Sequence, residues 1–155
     1  MDFEITDTVE GEKVDYTRPS KEFFDAIGGE AGMQKMMYNF YDKIYESDIM
    51  NFFPQDRAEF DKVKVKNSKF FIEVSGGPKI YEEANGIDLD EFMIHVHDDF
   101  SIAEKARVEW LGCMRDALRE VENVDYEIKM DFWNYVEKFS KLTVNNFPKM
   151  NNPYF

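Results

Sequence analysis

The apolar positions of the chain fall into helical stripes. Met33, Met36, Met37, Phe40, Tyr41, Ile44 and Tyr45 follow one another at steps of three and one, the repeat that gathers side chains on one face of an α-helix. Phe60, Val63, Asn67, Phe70, Phe71 and Val74 form a second stripe. Trp110, Leu111, Met114, Ala117, Leu118 and Val121 form a third, and Ile128, Phe132, Trp133, Val136, Phe139 and Thr143 a fourth. No stretch alternates convincingly at period two. The pattern predicts an all-α chain of about five substantial helices packed through these stripes.

Punctuation between the stripes agrees with this reading. Gly28-Gly29 precedes the first. Asp56 and Glu59 have capping-box spacing ahead of the second, and Gly76-Gly77-Pro78 carries C-cap and breaker chemistry behind it. Ser101 and Glu104 repeat the capping-box spacing ahead of the third. Residues 79–90 read as loop, and 91–97 as a short segment. Residues 1–19 are polar and acidic with no period, so they read as a flexible extension. Residues 20–150 read as one helical domain.

Composition narrows the partners. A chain of 155 residues with 43% hydrophobic content can bury a core. Its 16% aromatic content suits an aromatic-lined interior. A net charge of −13 argues against nucleic acid or an anionic membrane surface as the main partner. Cys113 is the single cysteine, so the chain has no disulfide framework; it reads as a small buried hydrophobe. The acidic N-terminus has no apolar run of the signal-peptide kind, and no stretch is long enough to span a membrane. A cytoplasmic setting follows as an expectation.

The residues with metal chemistry are His95 and His97. On a helix, residues two apart point about 200° from each other, so the two cannot share one ion. A strand would allow it, but a third ligand is not evident. Asn67 is an amide on an otherwise apolar stripe, and a buried amide without partners costs about 1–3 kcal/mol. Tyr41 likewise puts a hydroxyl among Met and Phe. A histidine with two hydrogen-bonding groups on apolar faces suggests a dry pocket with a few convergent polar groups.

Several strings resemble a truncated (2-on-2) haemoglobin: Phe40-Tyr41-Asp42, Phe53-Pro54, Gly76-Gly77-Pro78 with Tyr81, His97-x-x-Phe100-x-Ile102, and Arg107-x-x-Trp110-Leu111-x-x-Met114. The similarity covers roughly residues 22–147 and is greatest to the subgroup with a tryptophan on helix G, group II. It implies a globin-like helical sandwich around haem b, with His97 as the proximal iron ligand. It implies distal groups at Tyr41, Asn67 and Trp110. The haem pocket would include Phe53, Val63, Phe70, Phe71, Phe100, Ile102 and Met114. Relatives usually carry Arg immediately before the histidine, as a propionate partner; here Val96 stands there. Lys66 is the replacement the sequence offers, with Tyr81 second and Lys62, Lys69 and Lys79 nearby.

The resemblance implies O₂ and other diatomic ligands at a five-coordinate iron. Redox chemistry or scavenging of O₂ and NO is expected over bulk transport. Nitric oxide dioxygenase or peroxidase-like turnover would draw on a separate reductase. A monomer or homodimer fits equally. The alternative reading is an acidic helical interaction or sensor protein without haem.

Overall fold

The computed structural model describes residues 3–79, 93–94 and 97–147. Within them five α-helices run α1 (Lys21–Ala26), α2 (Gly29–Tyr45), α3 (Arg57–Val74), α4 (Glu104–Arg119) and α5 (Tyr126–Phe139). Short 3₁₀ turns lie at Met50–Phe52, His97–Asp99 and Ser140–Thr143. No strand occurs among the described residues. Four helices are substantial, and α1 is a six-residue turn and a half. No described helix is long and apolar enough to cross a membrane.

Each stripe becomes a buried face. Met33, Met36, Met37, Phe40, Tyr41 and Ile44 are buried on α2, and Phe60, Phe70, Phe71 and Val74 on α3. Helix α2 packs on α3 and α4, α4 on α5, and α1 bridges α2 and α5. Two helix pairs therefore face each other across one core, dominated by Phe23, Phe40, Phe60, Phe70, Phe132 and Trp133.

The ends of α3 follow the local chemistry. Asp56 accepts from the Glu59 N–H at 3.2 Å, satisfying a donor the first turn leaves open. At the other end Gly76 adopts φ +103°, and the Gly77 N–H returns to the Ile72 carbonyl at 2.9 Å. A Cβ on Gly77 would meet Phe24 at 2.9 Å and Ile72 closer still, so this stop also needs a bare backbone. The second capping box does not form. Helix α4 begins one residue after Ala103, which supplies no side-chain cap. Ser101 Oγ instead accepts from Asn146, and Glu104 bonds Arg107 and Thr8.

The N-terminal segment departs from the flexible arm its composition suggests. Phe3 is buried and stacks on Tyr126 at 5.3 Å. The Trp133 indole N–H donates to the Glu4 carbonyl at 2.9 Å, and Tyr16 packs edge-on to Phe139. Isolated anchors of this kind produce no periodicity, so a search for helical or strand faces passes over them.

Candidate functional site

One cavity opens between the helix pairs, with about 830 Å³ of atom-free space including its mouth. Helix α2 contributes Tyr41, and α3 contributes Asn67, Phe70 and Phe71 from one face. The segment between them adds Ile49, Phe52 and Phe53. Ile102, Ala106, Arg107 and Trp110 come from α4 and its approach, and Phe139, Ser140 and Thr143 from the end of α5 and the turn after it. Met93 and His97 close the remaining side.

His97 puts an imidazole on the cavity lining. Its Nδ1 lies 2.7 Å from the Met93 carbonyl oxygen. A carbonyl can only accept, so Nδ1 carries the proton and Nε2 keeps its lone pair. Burial lowers the His97 pKa below the ordinary value, against the Met93 hydrogen bond and the Asp98 charge, which raise it. The imidazole is therefore neutral near pH 7, the form that binds a metal. Among the described residues, no three of His, Cys, Asp and Glu gather to hold a bare ion.

Aromatic packing sets another stretch of the lining. Trp110 sits edge-on to Phe40 at 5.2 Å and tilted to Phe71 at 6.1 Å. Tyr41 contacts the rings of Phe40, Phe53 and Phe60. Neither the Trp110 indole N–H nor the Asn67 amide is bonded to another described residue. Both are donors on the lining of the cavity.

Of the residues singled out from sequence, Tyr41, Phe53, Asn67, Phe70, Phe71, His97, Ile102 and Trp110 line this one cavity. Four others lie off its lining. Met114 is wholly buried in the core, one turn beyond Trp110. Val63 is half-buried, Lys66 is exposed, and Phe100 is 44% exposed beside Phe52. Tyr81, His95 and Val96 lie outside the described residues. The lining also includes Ile49, Met93, Ala106, Arg107 and Ser140, which the sequence reading did not select for the site. For Arg107 a signal existed: it stands three residues before Trp110, so the two are neighbours on one helix face.

The bacterial-like globin family model matches residues 22–144. The chain belongs to that family. This globin is 27% identical over 123 residues to the group 2 truncated haemoglobin YjbI of Bacillus subtilis (strain 168), covering 79% of this chain and 87% of that one. Among solved structures, phosphate-bound Hell's gate globin IV matches with a TM-score of 0.79 at 27% identity, over 97% of this chain and 89% of its own. The group II truncated haemoglobin of Bacillus anthracis matches with a TM-score of 0.73 at 24% identity, over 83% and 95%. The two helix pairs around the cavity are thus the 2-on-2 globin sandwich, and its relatives are group II truncated haemoglobins.

The family implies a haem site, and the residues present fit one. The cavity is walled by rings and aliphatic side chains and offers one neutral imidazole with a free Nε2. Arg107 lines it but cannot serve a propionate, because all five guanidinium N–H donors are engaged by protein oxygens. The anionic edge of a haem would have to lie at the mouth, toward cations outside the lining.

Proposed function

We propose that this globin binds haem b non-covalently through His97 Nε2 and takes O₂, NO or CO on the side of Tyr41, Asn67 and Trp110. The observation that carries this reading is the His97 ring, held by Met93 on one nitrogen and open on the other, at a cavity whose lining also carries the unbonded Trp110 N–H and Asn67 amide. Haem supplies an iron with one coordination position left for a diatomic ligand. The protein orients the imidazole, excludes water with its aromatic walls, and aims N–H and O–H dipoles at the ligand. A donor facing partial negative charge contributes about 1.5–3 kcal/mol, and about 1.4 kcal/mol is a factor of ten. Two such donors slow O₂ release a hundredfold or more, which favours redox chemistry of O₂ and NO, or scavenging, over bulk transport. Electrons for turnover would come from a separate reductase. Lys66, exposed on α3 beside Asn67, is the cation we assign to a propionate.

Hemin titration with visible spectra of the ferric, ferrous and CO forms tests the assignment. His97→Ala should lose the five-coordinate ferrous spectrum while His95→Ala keeps it, and the reverse would overturn it. Lys66→Ala should speed hemin loss only about threefold, as suits a solvent-exposed ion pair.

A further inference from the structure

The stretch of cavity wall at Arg107 is completed from outside the globin helices. Arg107 is 0% exposed at its side chain and lines the cavity. Its Nε–H donates to Ser140 Oγ at 2.9 Å, and Nη2 donates to the carbonyl and the carboxylate of Glu137. Nη1 donates to Glu104 Oε2 at 3.0 Å and to the Thr6 carbonyl at 2.9 Å. The N-terminal segment thus supplies the acceptor for the last donor. It also serves both carboxylates: the Thr6 hydroxyl donates to Glu137 Oε1 at 2.7 Å, and the Thr8 N–H and hydroxyl donate to Glu104 at 2.9 and 2.7 Å. Phe3 anchors the near end, with its carbonyl accepting from Arg115 at 3.1 Å. The matched family region begins at residue 22, so this segment lies outside it.

We propose that residues 3–8 form a strap that closes the Arg107–Glu104–Glu137 cluster and so sets how firmly the His97 cavity retains its prosthetic group. The proposal rests on the haem reading above. A buried guanidinium requires each donor bonded, because an unpaired buried charge or donor is costly. Without the strap, one Nη1–H and one Glu137 oxygen lose their partners, and water reaches Arg107 and Ser140, which are part of the lining. The wall then opens more often. Retention then depends on a segment that reaches the lining through Arg107.

The test uses full-length protein loaded with hemin, with loss to excess apomyoglobin followed by Soret absorbance. Removing residues 1–8 should speed loss about tenfold, one charge-assisted hydrogen bond's worth. Thr6→Val with Thr8→Val keeps the backbone acceptor and should speed it about threefold, and it decides the matter if the shortened chain does not fold. Val9→Ala, at a side chain 59% exposed, should change nothing. The strap's effect should largely vanish in an Arg107→Lys background, because the route runs through the guanidinium. Equal acceleration in both backgrounds would show general destabilisation and overturn the proposal, as would unchanged loss in every strap variant. A wild-type chain that takes up no hemin would instead overturn the haem reading, and this use of the strap with it.

Discussion

On the side of the cavity formed by α2, α3 and Trp110, polar groups project from aromatic walls, and the Trp110 N–H and Asn67 amide have no partner among the described residues. On the side formed by the start of α4 and the end of α5, the opposite holds. Arg107 uses every donor, Ser140 both accepts and donates, and Glu137 is bonded from two directions. The contrast separates two uses of buried polarity. A donor left open is available to a ligand; a network closed on itself fixes a wall. Substitutions on the two sides should therefore fail in different assays.

The largest effect should come from the closed side. Arg107→Met leaves Glu137 buried without its cation and should cost about 3–5 kcal/mol in urea unfolding. Adding Glu137→Leu should recover part of that loss. Asn67→Leu, on the open side, should stay within about 1 kcal/mol of the parent. Next comes ligand release. Trp110→Phe should raise the O₂ off-rate about tenfold with little change in unfolding midpoint, and stopped-flow displacement by CO reads it. If Arg107→Met and Trp110→Phe moved the same observable by the same amount, the division between the two sides would fall.

A smaller effect concerns acid. His97 has a lowered pKa in the folded chain, chiefly from burial. The unfolded chain therefore takes up the proton first as pH falls. The stability this ring contributes is fully present above about 6.5, its ordinary value, and is lost as pH drops through the lowered native value. Urea midpoints of the hemin-free protein between pH 7.5 and pH 5, on the order of that window, should fall less steeply in His97→Gln. The smallest effect is at Cys113, whose thiol is pushed up to about 11 by burial and by the nearby Glu109 and Asp116 carboxylates. Only the thiolate reacts. Disulfide-exchange labelling of native protein at about pH 8 should be much slower than in urea.

Much of the open side was legible in the sequence. Asn67 stands out because an amide interrupts an apolar stripe, and the stripe's phase alone aims it inward with Phe70 and Phe71. Met114, which the family resemblance puts in the pocket, lies off the cavity lining. It shares the Trp110 face, but one turn further along the axis carries it past the cavity into the core. Phase around a helix is written in spacing, whereas position along the axis depends on where the partner helix crosses.

What the sequence by itself determined is local. It set the class, the helical stripes, the Asp56 cap and the Gly76–Gly77 stop, because each is a matter of neighbours within a turn or two. Tertiary structure decided the rest. Whether His97 is a free surface ring or a neutral one aimed at a cavity depended on its burial and on the Met93 carbonyl. That residues 3–8 pack against the helices depended on partners about a hundred residues away, Thr6 with Arg107 and Thr8 with Glu104. A buried charge is tolerated only where distant groups meet it, and no periodicity within a single helix records that meeting.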